Sequence, residues 1–269
     1  MNGKIILITG STDGIGKQAA FELAESGASV VIHGRDKNRV QSTVDEIKKI
    51  ASEENVLSVT ADLSSLKSVR KMVEDLKTIC SKIDVLINNA GVFMNTKKLT
   101  EDGYETTFAV NHLSHFLLTN LLLNENMISS KGRIITVSSI AHHNASYDPS
   151  NLQGERSFSG YSAYALSKLA NILFAYELSE KLKSTEITSN ALHPGVISTK
   201  LLKEGFNSTG ASLIQGAATL VYLASSEEVE GISGKYFVNN KISESSRISY
   251  DKKIMSRFWE ISLKLAGLS

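Results

Sequence analysis

Tyr164 and Lys168 stand four residues apart in the segment Gly160-Tyr161-Ser162-Ala163-Tyr164-Ala165-Leu166-Ser167-Lys168-Leu169-Ala170-Asn171. The segment lacks Pro, and Leu166, Leu169, Ala170, Leu173, Tyr176 and Leu178 recur at helical spacing up to Leu182. On a helix, positions i and i+4 share a face, so the phenol and the ammonium point the same way. An ammonium beside a phenol favours the phenolate and lowers a pKa that is otherwise about 10. A phenol that exchanges a proton near neutral pH is a general acid/base. Taken alone the pair is weak evidence, because a Tyr and a Lys at this spacing are usually one core ring and one solvated amine.

Such a pair needs a scaffold, and the chain supplies one. Ile5 to Thr9 is a β-branched run that predicts a buried strand, and the turn Gly10-Ser11-Thr12-Asp13-Gly14-Ile15-Gly16 leads into a helical pattern from Lys17 to Glu25. Ser29 to His33, Val56 to Thr60 and Ile83 to Ile87 predict further strands. Between them lie a polar helix that Asp36 can cap, running to about Ala51, and a helix from Ser65 to Cys80. Such alternation implies right-handed βαβ units and a parallel sheet with helices on both faces. Later strands are expected at Arg133 to Val137, Glu186 to Leu192 and Gly234 to Val238, which makes seven. One long helix or two joined ones should cover Glu101 to Met127, and Ile214 to Ala224 should be helical. Asn239 to Arg247 is polar and expected to be irregular. Ile254, Phe258, Trp259, Ile261, Leu263 and Leu265 outline an amphipathic C-terminal helix within 250–266, best read as core packing or a pocket cap. We find no repeat or linker. The expected fold is one α/β domain over 1–269, a doubly wound seven-stranded parallel sheet.

The glycine turn is a candidate phosphate site. Gly10, Gly14 and Gly16 let backbone approach a pyrophosphate, and the following helix aims free N–H groups and a positive dipole end at it. Thr9 and Ser11 can add hydroxyl donors. The end of the second strand selects the cofactor: an acidic residue there binds the ribose 2′-OH of NAD, and an Arg accommodates a 2′-phosphate. The run here is His33-Gly34-Arg35-Asp36, so Gly34 replaces the acid and Arg35 follows; Lys17 and Arg39 add positive charge nearby. NADP(H) is favoured over NAD(H).

The middle of the chain can complete the site. Asn111 sits among apolar helical positions and needs a partner or a water; it is either a satisfied core amide or a water-holding group. Ser138-Ser139 ends the fifth strand, and residues at the carboxyl ends of parallel strands face the ligand crevice. Ser139 can therefore bond a substrate oxygen. Residues 199–210, with Gly205 and Gly210 as soft points, are expected to form a substrate lid. The loop from Tyr147 to Phe158 can border the same pocket. His193 reads as a packing or hydrogen-bonding residue.

Composition narrows the class. The chain has 269 residues, 42% hydrophobic and 21% charged, as an ordinary globular protein does. A net charge of +1 gives no electrostatic footprint for nucleic acid. The lone Cys80 excludes an internal disulfide and a Cys-only zinc site, and no ligand cluster for a metal is found. No run approaches the ~18 apolar residues of a membrane span. The N-terminus enters a strand at once, so no signal peptide is expected and the protein is read as cytoplasmic.

Thr9-Gly10-x-x-x-Gly14-Ile15-Gly16, Asn88-Asn89-Ala90-Gly91, Asn111, Ser139, Tyr164-x-x-x-Lys168 and Pro194-Gly195 resemble, in order and spacing, the motifs of the short-chain dehydrogenase/reductase superfamily. The likeness spans residue 4 to about 238. Asn111-His112-Leu113-Ser114-His115-Phe116, Ala141-His142-His143, Asn151-Leu152-Gln153-Gly154-Glu155, His193-Pro194-Gly195 and Phe258-Trp259-Glu260 look most like the retinol dehydrogenase group. The resemblance implies a Rossmann-type fold and an NADP(H)-dependent interconversion of a carbonyl with an alcohol on a small or lipophilic molecule. It implies that Tyr164 donates or accepts the proton, Lys168 lowers the Tyr164 pKa and binds the nicotinamide ribose, Ser139 polarises the carbonyl, and Asn111 holds a relay water. By the same resemblance Gly10, Ser11, Thr12, Gly14, Ile15 and Gly16 line the phosphates, with Arg35 at the 2′-phosphate. Asp62 and Leu63 contact the adenine, and Asn89, Ala90 and Gly91 lie by the ribose. Pro194, Gly195, Val196 and Thr199 meet the nicotinamide. The resemblance also implies that the long helices Asn111–Met127 and Tyr161–Lys181 can build a homodimer or homotetramer interface, as in many relatives. The other reading is a catalytically silent NADP(H)-binding sensor or scaffold.

Overall fold

Short runs of Val and Ile build the centre of the molecule. The computed structural model describes residues 1–268, and the side chains of Glu53 and Glu204 lie outside that description. Strands β1 (Ile5–Ile8), β2 (Ser29–Gly34), β3 (Val56–Thr60), β4 (Ile83–Asn88), β5 (Ile128–Val137), β6 (Thr188–His193) and β7 (Tyr236–Val238) pair in parallel. A short β8 (Lys241–Ser243) returns antiparallel to β7. Their order is β3-β2-β1-β4-β5-β6-β7-β8. Ile6, Leu7, Ile8, Val30, Val31 and Ile32 have no exposed surface. Burial on both faces is why these strands read as unbroken apolar runs.

Helices α1 (Gly14–Glu25), α2 (Lys37–Ile47), α3 (Leu66–Ile79), α4 (Thr106–Phe108), α5 (Ser114–Asn124), α6 (Gly160–Lys181), α7 (Lys200–Phe206), α8 (Leu213–Ser225) and α9 (Lys252–Ala266) complete the chain. α1, α2 and α8 bury Leu23, Val44 and Leu220 on one face of the sheet. α3, α5, α6 and α9 bury Met72, Leu117, Leu173 and Phe258 on the other. The chain winds outward in both directions from β1 and β4, so the crevice opens at their carboxyl ends, where the strand order reverses.

Several expectations change. The sheet has eight strands rather than seven. The extra one arises because Asn239 and Asn240, at φ 49° and 62°, turn the chain tightly into β8. Two successive left-handed residues make the turn whose twist suits a hairpin, and Asn tolerates it. Asn239 to Ser243 thus forms a hairpin turn and arm, Glu244 to Ser246 are irregular as expected, and a 3₁₀ turn (Arg247–Tyr250) follows. β5 begins at Ile128 instead of Arg133, with a register shift against β4 between Ile83 and Val85. β6 runs Thr188–His193, shifted from Glu186–Leu192. The region 101–127 takes the joined form: after a turn, the π-helical turn Ala109–Leu113 links α4 to α5.

α9 packs on α5 and α6 and does not cap the crevice. Its Trp259 stacks on Phe174 at 5.9 Å and meets Phe116 edge-on at 4.8 Å. Phe258 and Trp259 are buried, as the amphipathic pattern requires. Among the described residues of α6, only Tyr161, Ser162, Glu180 and Lys181 are exposed, and α9 packs along this helix. Cys80 is buried, with its thiol directed to the Leu76 carbonyl, an inert position. No described helix is long and apolar enough to cross a membrane.

Candidate active site

The carboxyl edge of the sheet opens into a cleft of about 1160 Å³. Its floor is the glycine turn. Asp13 caps α1 by accepting the Gly14 N–H at 2.8 Å, which starts the helix at the loop. Gly14 holds φ +57°, in the left-handed region. A Cβ on Gly16 would strike the Asn89 amide and lie 2.6 Å from the Gly10 carbonyl oxygen. Asn89 in turn donates to Thr9 O at 2.7 Å and Gly10 O at 3.2 Å, pinning the loop to the end of β4.

The hydroxyls of Thr9 and Ser11 do not face the cleft, contrary to expectation. Both residues are fully buried. Ser11 Oγ donates to Ile8 O at 2.9 Å and accepts the His33 N–H at 2.9 Å. Thr9 Oγ1 accepts from Asn89 N at 2.8 Å and Ala90 N at 3.0 Å and meets His115 Nε2 at 2.8 Å. These groups shape the loop from beneath. Ser11 therefore drops out of the lining, whereas Gly10, Thr12, Gly14, Ile15 and Gly16 stay in it.

At the end of β2, Arg35 lines the cleft, exposed, and makes no ion pair or hydrogen bond among the described residues. Of the two cations expected beside it, Arg39 shares the lining and Lys17 does not. Lys17 pairs with Glu46 at 2.8 Å and leaves the lining, and Arg39 pairs with Asp13 at 2.9 Å. Gly34 has a steric reason. A Cβ there would sit 2.7 Å from Thr12 Cγ2 and 3.1 Å from Val40 Cγ2, so an acidic residue must displace the Thr12 side chain to fit. Gly34→Asp should therefore cost about 1–3 kcal/mol of stability, as overpacking does. It should also weaken both NADPH and NADH instead of switching preference. Thermal unfolding with two cofactor titrations checks this, and a clean switch to NADH would contradict the packing argument. Asp62 and Leu63, just beyond β3, line the same end, and Asn89, Ala90 and Gly91, after β4, carry the lining on towards Lys168.

The other end holds the expected chemistry. Ser139 follows β5 and caps a 3₁₀ turn, Ile140–Asn144, by accepting the Ala141 N–H at 3.2 Å. Tyr164 and Lys168 occupy the first turns of α6, which Ser159 caps. Lys168 is 3% exposed; its Nζ donates to Val137 O at 3.1 Å and lies 5.6 Å from the Tyr164 ring centre. Pro194, Gly195, Val196 and Thr199 complete this wall.

The electrostatics differ from expectation in sign. Burial pushes the Tyr164 phenol up to about 12, against a hydrogen bond from Ser139 that lowers it. Burial also pulls the Lys168 ammonium down to about 8. In the protein alone, then, desolvation sets the direction of both shifts.

Asn111 lies in the π-helical turn and is fully buried. Its amide clamps Val92 like a strand partner, accepting the N–H at 2.7 Å and donating to the carbonyl at 3.0 Å; it also donates to Ser167 Oγ at 3.0 Å. Both amide hydrogens are thus spent inside the protein. The side chain ties the loop after β4 to α6 and flanks Gly91, whose Cβ position is 3.5 Å from both Asn111 Oδ1 and Lys168 Nζ.

Several parts of the site were not assigned from sequence. His33 Nδ1 accepts the Gly10 N–H at 3.0 Å, and burial holds its pKa down at about 4, so a neutral ring orients the glycine turn. His115 links Thr9 to Asn111 O at 3.1 Å and is likewise held down, at about 3, by burial. Nothing local distinguishes these rings from ordinary core histidines. An aromatic group roofs Tyr164: Phe93 at 5.7 Å and Phe206 at 5.8 Å, with Phe93 and Phe206 4.8 Å apart. Phe206 ends α7, so the expected lid segment is a short helix capped by Thr199, and Gly205 fits directly against the Phe93 ring. The loop from Tyr147 to Phe158 does not line the cleft; it buries Leu152 in the core. His193 bonds the Ile140 N–H at 3.3 Å, the hydrogen-bonding part expected of it.

A sequence profile for short chain dehydrogenases matches residues 4–209. The chain belongs to the short-chain dehydrogenase/reductase family. It is therefore an oxidoreductase that acts on alcohol groups, and within the family it is similar to the retinol dehydrogenases. Retinol dehydrogenase 12 of Mus musculus is 40% identical, over 99% of this chain and 87% of that protein. Among solved structures, an uncharacterised protein from Mycobacterium paratuberculosis superposes with a TM-score of 0.83 at 31% identity, covering 99% of this chain and 94% of its own. Landomycin C-6 ketoreductase, solved with bound NADP and rabelomycin, gives 0.71 at 26% identity over 88% of this chain and 95% of its own.

Proposed function

We propose that the protein uses NADP(H) to interconvert an alcohol and a carbonyl on an apolar small molecule, with Tyr164 giving or taking the proton. The observation that carries this reading is the meeting of Ser139, Tyr164 and Lys168 on one wall of a cleft whose far end holds the glycine turn and the unpaired Arg35. The residues fit a dinucleotide: the backbone cradle at Gly16 admits no side chain, and a helix N-terminus lies beside it. The bound cofactor supplies or accepts the hydride.

The protein's own groups then divide the work. Arg35 recognises a 2′-phosphate. Lys168 holds its ammonium between Gly91 and the Val137 carbonyl, in reach of a ribose. Ser139 orients the substrate oxygen, and Tyr164 meets it with a proton that burial keeps in place at neutral pH. Without that proton the reduced oxygen would stay an alkoxide in a low-dielectric site. Asn111 acts through position, by fixing Val92 and the start of α6. Phe93, Phe206 and Leu201 give the substrate an apolar lining under α7, which serves as the lid.

The function is tested by following NADPH absorbance with a panel of aldehydes and ketones. We expect turnover of at least one lipophilic member. Tight NADPH binding with no turnover of any would favour the silent sensor. Cofactor choice has its own test. Arg35→Ala should weaken NADPH about 10- to 100-fold, the range of a charged hydrogen bond, and leave NADH within about twofold. Equal losses for both would remove Arg35 as the 2′-phosphate contact.

A further inference from the structure

The main chain of Ser139 is held from behind by a residue that the chemistry does not use. His142, in the 3₁₀ turn after Ser139, has no exposed surface. Its Nδ1 lies 2.6 Å from the Ser139 carbonyl oxygen, and its Nε2 accepts the Ser246 N–H at 3.0 Å. A carbonyl only accepts and an N–H only donates, so the ring is neutral with its proton on Nδ1. Burial keeps it neutral, holding its pKa down at about 4.

Ser246 belongs to a buried polar knot between β8 and α9. Ser249 Oγ donates to Ser246 O at 2.6 Å and meets Ser245 Oγ at 2.6 Å. Ser245 Oγ meets Tyr176 Oη at 2.9 Å. Tyr176 lies about three turns along α6 from Tyr164. One end of the knot therefore grips the backbone of Ser139, and the other grips the helix that carries Tyr164. The Ser139 hydroxyl accepts the Ala141 N–H, which leaves its hydrogen for the Tyr164 oxygen. That geometry depends on where the 3₁₀ turn sits relative to α6.

We propose that His142 is a positioning residue that sets Ser139 against Tyr164, anchored through the Ser245–Ser249 knot. The proposal rests on the catalytic roles of Ser139 and Tyr164 given above. It does not extend to substrate choice, so every substrate should be affected alike.

The test is a double-mutant cycle, read as kcat and as NADPH Kd, on the full chain. His142→Phe keeps a ring and loses both polar atoms. His142→Gln restores one donor and one acceptor. We expect kcat of His142→Phe to fall about tenfold or more, with NADPH Kd within about twofold, and His142→Gln to recover most of the loss. In a Ser139→Ala background, measured at excess enzyme, His142→Phe should cause no further loss, because its effect passes through Ser139. Should His142→Phe not fold, His142→Asn, too short to reach Ser246, takes its place in the cycle. Equal losses in both backgrounds would overturn the proposal, as would a folded His142→Phe within twofold of the parent kcat. If Ser139→Ala itself keeps parental turnover, the catalytic assignment fails instead.

Discussion

Tyr164→Phe should reduce turnover by about 10²- to 10⁴-fold, the usual contribution of a positioned general acid, while NADPH binding stays within about twofold. The substitution removes one oxygen and leaves the ring. That ring is 7% exposed and packed against Phe93 and Phe206, so its burial and contacts survive. The lost hydrogen bond to Ser139 should change stability by only about 1 kcal/mol. The loss should appear in kcat, because the proton is needed only as the substrate oxygen becomes an alkoxide. Steady-state rates and a fluorescence titration with NADPH separate the two effects. Retained turnover would remove Tyr164 as the proton donor.

Lys168→Met should move activity and stability in opposite directions. Burial holds the Lys168 pKa at about 8, below its ordinary 10.5. Folding therefore disfavours the charged form. That penalty is full below about pH 8, shrinks as pH rises, and vanishes above about pH 10.5, where the unfolded chain is neutral too. At about 1.4 kcal/mol per unit it is roughly 3 kcal/mol. Met fills the space without the charge. The Val137 carbonyl keeps a partner, since Asn171 Nδ2 also donates to it at 3.0 Å. We expect the variant to unfold at a higher temperature at pH 7, with the gap narrowing towards pH 10.5. Catalysis should fall about 10²-fold or more, because the ribose loses its ammonium and the phenol its nearest cation. A thermal scan across pH with parallel rate assays reads both. A variant less stable than the parent at pH 7 would contradict the desolvation argument.

How much of this was legible in the sequence depended on the physics behind each residue. Backbone-scale features came through. The β1 turn with Gly10, Gly14 and Gly16 sits between a strand and a helix, and only glycine suits such close approach. Tyr164 and Lys168 lie on one helical face because α6 has no breaker. Asp36 caps α2, accepting the Asn38 N–H at 2.9 Å. The direction of a hydroxyl was not legible. Thr9 and Ser11 can each turn to a ligand or to the protein, and the buried carbonyl of Ile8 and N–H of His33 take Ser11 first. The π-helical turn at Asn111 was hidden because one extra residue per turn leaves the apolar pattern almost unchanged. The sign of the Tyr164 shift was hidden too, since it follows from burial under Phe93 and Phe206, and Phe206 comes from a distant segment. The Asn239–Asn240 pair was the missed local signal for β8.

The central claim is that a hydride and a proton meet one carbonyl beside Tyr164. NADPH deuterated at the transferring position, offered with the carbonyl panel, tests it most directly by mass analysis of the alcohol formed. We predict one deuterium bound to the carbinol carbon of the product, formed rapidly by the parent protein and at least about a hundred times more slowly by Tyr164→Phe. Oxidation of the cofactor with no labelled alcohol, or labelling at the same rate in the variant, would contradict the account.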